Sequence, residues 1–568
     1  MGTGRLGRGG GRRAAGAAAL VAVGLVAAAC SAGTSPQPDA TRTSAAPAST
    51  GGITASTVAS SGAPKKGGKL VYAAESDTDG FDPTTGRWEG TTLTMAGTVY
   101  DPLAAYDAEG RARPYLAEAF EPSADFRTWT IRLRPEVQFT NGEKLDADAL
   151  VLFLQKLRSS PLTGQAAEPM DPANPATKVD ERTVRVNMTT PWAVFPSALT
   201  GQGGSIPAPA LLKEPDAQVR NDNPIGTGPF KLKEWVKGTK FVATRNPTYW
   251  RNGLPYLDEV EFRFIPDNKA RDDALEAGDV NMELTTYASS QKRLSELAAQ
   301  GRVQTVRDDG PRQPLFLMFN MDKAPLDDQR VRQAVARAID VDRYIAVSGD
   351  DPSWRIKDSP IDPKSRWYAS SDYPGYDQAK ARQLVEEVEA DKGPITFTVS
   401  TTDTTENQAI GQEFVKMLQE VGIDATLEAI PQGSYPTKMV FGQYDVAFVR
   451  LFGSPDPDSD YHWFISRNAV KPGEGRLGLN LARVRDPQVD EALDTGRGTT
   501  DEATRKAAYA TFQQRLSAIV PYVWLTQSVK MIGADVRVRG ITNGPLPDGT
   551  PSMPVTNGVT RLTETWMA

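Results

Sequence analysis

The sequence predicts an α/β protein with sizeable hydrophobic cores, on the evidence of its length and of two strand–helix–strand units. The chain has 568 residues, which corresponds to three or four domains of ordinary size or to two large lobes. Residues 256–282 have the pattern of a strand, a helix and a second strand, and residues 395–430 repeat that order. The spacing of the second unit predicts two parallel strands with a right-handed crossover. We therefore expect mixed sheets flanked by helices.

The first 30 residues have the pattern of a secretory signal peptide. Residues 1–13 carry four arginines, and residues 14–29 form an apolar run that is short for a transmembrane span. The run ends at Cys30 in a sequence that resembles a bacterial lipobox, which implies that Cys30 is lipidated and becomes the mature N-terminus. A chance cysteine in an ordinary signal peptide is the alternative. Arg12 and Arg13 leave both the general and the twin-arginine export routes open.

Residues 31–66 predict a disordered tether. They consist mainly of Ser, Thr, Ala, Pro and Gly, and contain almost no large apolar side chain. Such a segment cannot bury enough surface to offset the entropy of ordering it. A tether behind a lipidated cysteine would let a globular body move above the membrane that anchors it.

The composition argues against several classes of function. The formal net charge is −7 although the first 66 residues are net positive, so the body is acidic and ill-suited to nucleic acid. One cysteine and one histidine, His462, make a disulfide, a Cys/His metal site and most metal-dependent hydrolases implausible. The sequence lacks G-x-S-x-G and H-E-x-x-H motifs. We expect no catalytic activity, no metal and no cofactor.

The most informative stretch is residues 223–250. It opens with a Gly/Pro-rich turn, and residues 230–235 then alternate apolar with polar side chains, as in a half-buried strand. Residues 237–240 turn the chain, and residues 241–245 return as a second strand before Pro247 ends it. The pattern alone predicts a β-hairpin.

The amino-acid sequence of this stretch resembles the signature of the solute-binding proteins of peptide and nickel ABC transporters. In that family P-x-G-T-G-P-[FY] leads through a hairpin to N-P-x-Y-W. Residues 128–134, the V-x-F-x-[DN]-G turn at 137–142 and the R-V-R-Q-A helix from Arg330 follow in family order. The resemblance covers residues 67–568. It implies a two-lobed, type II periplasmic-binding-protein-like fold with an extra subdomain and a hinge.

The resemblance also implies a domain division. Residues 67–312 and 526–568 form the first lobe, with a subdomain inserted at about 103–221, and residues 313–525 form the second lobe. A chain that leaves one lobe and returns to it creates a multi-strand hinge, which favours bending between preformed lobes.

The predicted solute site lies after a strand at residues 444–450. Because ligands of open α/β sheets collect at the carboxyl ends of strands, the acidic, Pro-stiffened loop that follows is the first candidate. By the resemblance, Asp456 binds the α-amino group of a peptide, with Asp458 as a second choice, and Arg450 binds a carboxylate or a carbonyl group. The alternative is that these charges pair with each other and hold the loop.

Four further residues complete the predicted site. An aromatic side chain is more often core than pocket, but aromatic and facing-loop positions remain candidates for contact with the solute. They are Phe452, Trp88, Glu75 and Asp77.

These expectations together describe a monomeric, lipid-anchored lipoprotein on the extracytoplasmic face of a bacterial membrane. It would capture a di- or oligopeptide between its lobes and deliver it to the membrane subunits of an ABC permease. The same fold binds sugars, nickel chelates, opines and other solutes, so these remain alternatives, as does a sensory or signalling receptor.

Overall fold

The structure is a computed structural model that describes residues 62–568 except residues 87, 89, 162, 309, 433, 472, 473, 475 and 476. The predicted signal peptide, Cys30 and the tether up to residue 61 lie outside the described residues. No helix within the described part of the chain is long and apolar enough to cross a membrane.

The strands of the described residues fall into three larger sheets and two short two-stranded pairs. In chain order they are β1 (Lys69–Ala74), β2 (Ala104–Tyr106), β3 (Ala112–Pro114), β4 (Ala117–Pro122), β5 (Thr128–Leu133), β6 (Ala176–Lys178), β7 (Thr183–Asn187), β8 (Phe230–Val236), β9 (Lys240–Arg245), β10 (Glu259–Phe264), β11 (Met282–Thr285), β12 (Val303–Arg307), β13 (Gln313–Phe319), β14 (Thr396–Thr402), β15 (Asp424–Ile430), β16 (Val446–Arg450), β17 (Tyr522–Ser528), β18 (Met531–Asp535), β19 (Val538–Arg539) and β20 (Trp566–Met567).

The α-helices cover the faces of the larger sheets. They are α1 (Gly90–Val99), α2 (Ala147–Ser159), α3 (Thr163–Ala166), α4 (Pro209–Leu212), α5 (Ala217–Asp222), α6 (Asn268–Ala277), α7 (Ala288–Ala299), α8 (Gln329–Ala338), α9 (Val341–Ser348), α10 (Gln378–Lys392), α11 (Thr405–Gln419), α12 (Tyr435–Val440), α13 (Pro487–Arg497) and α14 (Glu502–Ile519). Short 3₁₀ turns add Phe195–Leu199, Gly201–Gly204, Pro352–Trp354, Pro457–Trp463, Ser466–Asn468 and Leu562–Glu564.

Helix ends follow the local chemistry of the sequence. Asp146 caps α2 by accepting a hydrogen bond from the backbone N–H of Ala149, as predicted. Gly278 ends α6 in the left-handed conformation with φ of 83°, which is also the predicted cap.

The first lobe contains a seven-stranded mixed sheet in the order β12-β18-β11-β1-β10-β9-β8. Strand β1 is parallel to β10 and β11, whereas β9 is antiparallel to both β8 and β10. The predicted hairpin is therefore confirmed as β8–β9, and it forms one edge of this sheet. The carboxyl ends of β1, β10, β11 and β12 all lie at the same end of the sheet.

The second lobe contains a five-stranded sheet in the order β15-β14-β16-β13-β17. The predicted parallel pairing within residues 395–430 is confirmed, because β14 and β15 pair in parallel through seven residue pairs. Strand β13 is antiparallel to β16 and β17. The carboxyl ends of β14, β16 and β17 and the start of β13 therefore share one end of the sheet.

Two segments carry the chain between the sheets. One runs from Arg307 to Gln313 and the other from Ser528 to Met531. They contact each other, because the N–H of Asp308 donates a 2.9 Å hydrogen bond to the carbonyl of Lys530. Strand β17 continues to Ser528, three residues beyond the predicted boundary at 525.

A third core belongs to residues 103–212, which we call the insert. Its four-stranded antiparallel sheet has the order β4-β5-β7-β6. Its buried side chains, including Trp129, Phe153 and Trp192, form a cluster separate from the cores of the two large sheets. The insert is continuous in sequence with the first lobe at both of its ends.

Candidate functional site

The candidate site is the space where the strand ends of the two lobes face each other. Glu75 follows β1 directly, and Tyr287 lies just beyond β11. From the other lobe, Glu406 lies in the first turn of α11, directly after β14. Asp350 follows α9 and is held against β17 by Thr526. Groups of the two lobes lie close enough to act on each other electrostatically, and we call the space around them the recess. Strand ends are where ligands of open α/β sheets bind.

Three carboxylates dominate this recess, and we call Glu75, Asp350 and Glu406 the acidic group. The Tyr287 hydroxyl donates to Glu75 at 3.2 Å. The Thr526 hydroxyl donates to Asp350 at 2.6 Å. Glu406 is solvent-accessible, whereas Glu75 and Asp350 are half-buried.

Charged groups of one lobe shift the pKa values of groups on the other lobe. Desolvation in the recess, followed by the negative charges of Asp350 and Glu75, raises the pKa of Glu406 to about 6. Burial likewise raises the pKa of Asp350. Burial and then the charges of Glu75 and Glu406 raise the pKa of Tyr287 to about 12. The recess therefore disfavours additional negative charge and favours a cation.

Arg450, the cation of the predicted site, is the last residue of β16. It lies at the end of the second sheet where β14 and β17 also end. Its guanidinium lies 3.4 Å from the Ser528 hydroxyl, and it forms no salt bridge with any carboxylate among the described residues. Arg450 is half-buried. It therefore has donors available for an anionic or carbonyl group.

Strands β14 and β16 separate just before this edge. They pair only at Val399–Val446 and Ser400–Ala447, although both strands continue. The Tyr435 hydroxyl fills the fork, 2.9 Å from the carbonyl of Ser400 and 2.8 Å from that of Phe448. Beyond the fork no strand of the described residues pairs with β16 on this side, which is the geometry that accepts an extended peptide.

The structure places Asp456 and Asp458 in buried ion pairs. Asp456 is 3% exposed and accepts a 2.7 Å hydrogen bond from Arg505, and Asp458 is 4% exposed and accepts one of 2.6 Å from Arg497. Asp456 also caps the turn at Pro457 by accepting from the N–H of Asp458. The alternative of loop-holding ion pairs fits better, although neither partner is Arg450. Each carboxylate therefore already has a buried cation as its partner.

Asp77 and Trp88 are also occupied by the fold. Asp77 accepts hydrogen bonds from the Trp235 indole at 3.1 Å and from the N–H of Gly238 at 2.8 Å, which fastens it to the β8–β9 turn. Trp88 is 7% exposed and stacks on Tyr100 in the core of the first lobe. Neither side chain faces the recess with unused donors or acceptors.

Phe452 packs among aromatic rings and fixes the backbone that follows β16. Its ring lies parallel to that of Phe316 at 5.2 Å and 4.5 Å from that of Phe464. This packing holds a non-glycine residue at φ of 67° directly after β16. At Gly453 a Cβ atom would lie 2.5 Å from the carbonyl of Arg312, so only glycine permits the sharp turn.

The sequence analysis missed Tyr287, Asp350 and Glu406. Glu406 could have been identified from its position in the sequence, because it lies at the start of a helix that follows a predicted strand. The carboxyl ends of strands are preferred ligand positions. The single histidine, His462, is half-buried against Trp463, and burial lowers its pKa to about 3. Within the described residues no group of three or more His, Cys, Asp or Glu side chains is arranged to hold a metal.

The structure has the features of a two-lobed binding protein. Two segments of the chain connect the lobes, and charged side chains from both lobes surround the recess. The chain belongs to the bacterial extracellular solute-binding proteins, family 5, because the model of that family's middle region matches residues 111–471. It is therefore a solute-binding protein of the extracytoplasmic type, with the type II periplasmic-binding-protein fold.

Similar proteins cover almost the whole body. The glutathione-binding protein GsiB of Pectobacterium atrosepticum is 26% identical over 479 residues, which are 84% of this chain and 91% of GsiB. The "Probable D,D-dipeptide-binding periplasmic protein DdpA" of Escherichia coli is 27% identical over 494 residues, covering 84% and 92% of the two chains. The structure of DppA from Helicobacter pylori in complex with the peptide STSA aligns with a TM-score of 0.76 and 23% identity, over 89% of this chain and 98% of that one.

Proposed function

We propose that this protein is the solute-binding component of an ABC importer and that it captures a peptide between its two lobes. The observation that carries the proposal is the acidic group, to which both lobes contribute at facing strand ends. A solute with a positively charged amine is favoured there, because its charge offsets the repulsion that closure imposes on the three carboxylates.

Arg450 supplies the opposite charge on the same side of the second lobe. A peptide is a zwitterion, and an amine near the acidic group with a carboxylate or carbonyl near Arg450 satisfies both ends. The unpaired backbone of β16 beyond the fork adds hydrogen bonds to the main chain of an extended solute. These three features support a peptide over a sugar, which has no charge to place.

The names of the relatives support the same class of solute. GsiB is named for glutathione and DdpA for a D,D-dipeptide, and the aligned DppA structure holds a tetrapeptide. In this proposal the protein acts as a monomer without enzymatic activity. It delivers its solute to the membrane subunits of an ABC permease while Cys30, lipidated after export, holds it at the membrane.

The test is mass spectrometry of small molecules released by denaturing the purified protein, produced as residues 31–568. Release of peptides is the expected result, and Glu406→Gln should reduce the amount retained. Glu387→Gln is the matched control, because Glu387 is an exposed carboxylate on α10 of the same lobe and accepts a 2.7 Å hydrogen bond from Gln383 on its own helix.

The other outcomes separate the alternatives. A sugar or a metal chelate would retain the transport function but overturn the assigned site chemistry. Failure to find any solute, together with no thermal shift from a panel of peptides, would favour a receptor that serves signalling rather than transport.

A further inference from the structure

We infer that Trp192 of the insert is a positioning residue that holds the two lobes in the closed form, at a contact separate from the solute recess. The inference rests on the proposed function in one respect, namely that the lobes of a solute-binding protein open and close. It concerns the regulation of closure rather than the identity of the solute.

The contact joins the insert to the second lobe through a buried carboxylate. The Trp192 indole N–H donates a 2.7 Å hydrogen bond to one oxygen of Asp458, and Arg497 donates a 2.6 Å bond to the other. Trp192 is 1% exposed. The N–H of the next residue, Ala193, donates at 2.9 Å to the carbonyl of Arg497. Asp458 thus has one partner within its own lobe and one partner across the boundary.

The aromatic surroundings strengthen this contact. The Arg497 guanidinium lies 3.4 Å from the centre of the Tyr461 ring and 5.0 Å from the centre of the Trp192 ring. Removing Trp192 from this stack exposes a carboxylate and a guanidinium that are otherwise desolvated. Hydrogen bonds to charged groups in such dry surroundings are the stronger ones.

Two further contacts surround the buried one. The Gln165 side-chain amide donates to the carbonyl of Leu477 at 3.1 Å and accepts from the N–H of Leu479 at 3.0 Å. Glu168 pairs with Arg467 at 2.8 Å at the solvent edge. Each contact joins the insert to the second lobe.

Chain connectivity makes this contact specific to closure. The insert is joined by the chain to the first lobe only, and it is fastened there by bonds such as that from the N–H of Thr140 to the carbonyl of Gly226 at 2.9 Å. The hinge segments lie between Arg307 and Gln313 and between Ser528 and Met531. Bending there moves the second lobe away from the first lobe and the insert together, so opening breaks the Trp192–Asp458 bond while Arg497 stays with Asp458.

The experiment measures the distance between lobes in solute-free protein by pulsed electron paramagnetic resonance. Spin labels are placed at Val179→Cys in the insert and Phe441→Cys in the second lobe, which are 52% and 53% exposed. The full-length chain carries Cys30→Ala, which removes its single native cysteine. Because no solute is added, the result does not depend on finding one.

The labelled parent should show a closed population. In Trp192→Phe the ratio of closed to open protein should fall about tenfold, equivalent to about 1.4 kcal/mol. The matched control is Trp250→Phe, because the Trp250 indole N–H donates an equal 2.7 Å bond to the carboxylate of Asp101 within the first lobe. That variant should leave the distance distribution unchanged. Gln165→Leu, which removes the surrounding amide contact without touching the core, should lower the closed population by a smaller factor.

Either of two results would overturn the inference. One is a distribution in Trp192→Phe that matches the parent while the protein remains folded. The other is a parent with no closed population, because the contact would then not hold the lobes without solute. If the inference holds and no solute is found, only the proposed function fails.

Discussion

The molecule uses acidic side chains in two contrasting regions. Asp456 and Asp458 lie in a dry interface, and each is paired with one arginine at less than 3 Å. Glu75, Asp350 and Glu406 lie around the recess, where desolvation and then the charges of Asp350 and Glu75 raise the pKa of Glu406. The difference teaches that a carboxylate after a strand can either stabilise the fold or bind a solute, depending on whether the fold already supplies its cation.

The largest effect is expected from removing the arginine that pairs with Asp458. Arg497→Met leaves Asp458 buried without its cation, which should lower the free energy of unfolding by about 3–5 kcal/mol. Urea denaturation of the purified protein measures the change. Lys506→Met is the control, because the i,i+4 pair of Lys506 with Glu502 is exposed and solvent-screened and should contribute little. Equal losses in the two variants would contradict the distinction between buried and exposed pairs.

In the acidic group, ionisation of a carboxylate should lower the stability of the fold rather than raise it. The raised pKa of Glu406 means that the folded chain binds this proton more tightly than the unfolded chain does. The free energy of unfolding should therefore fall as the pH rises from about 4.5 to about 6, and Glu406→Gln should remove that part of the decrease. Denaturation curves recorded between pH 4 and pH 7 measure it.

The same substitution should weaken solute binding while leaving the fold intact. A cationic solute favours ionised Glu406, so affinity should rise with pH through about 6 in the parent and change less in Glu406→Gln, with roughly tenfold weaker binding at pH 7. Isothermal titration with the recovered solute measures this. A variant that loses stability without losing affinity would place Glu406 with the structural carboxylates.

The smallest effect should come from Tyr287→Phe. Its hydroxyl orients Glu75 at 3.2 Å, but Glu75 can accept water instead, so a two- to fivefold loss of solute affinity is expected, about 0.4–1 kcal/mol. Tyr368→Phe, which removes a 3.1 Å bond to Asp358 within the second lobe, is the control and should leave affinity unchanged.

The sequence was sufficient for features that depend on nearby residues. The β8–β9 hairpin, the parallel β14–β15 pair and the caps at Asp146 and Gly278 are all set by periodicity and by Gly, Pro or Asp within a few positions. The partners of the acidic loop were not predictable in this way. Asp456 pairs with a residue 49 positions later, and Asp458 accepts from one 266 positions earlier.

The site was only partly predictable for the same reason. Glu75 and Arg450 were identified because they stand at the carboxyl ends of strands, and the structure leaves both with capacity for a solute. Glu406 stands in an equivalent position after β14, but which strand ends face each other depends on sheet order. That order places β14 beside β16 and β1 beside β11, and no local pattern encodes it.

The position of β18 has a consequence for the order in which the protein can fold as its chain is synthesised. This strand lies between β11 and β12, yet it begins at residue 531. Until it arrives, β12 has no neighbour in its sheet, although the entire second lobe has already emerged. The second lobe and the insert can therefore fold first, and the first lobe is completed last. A chain that is interrupted before Asp535 would present an unpaired edge at β11, a surface prone to aggregation and to proteolysis.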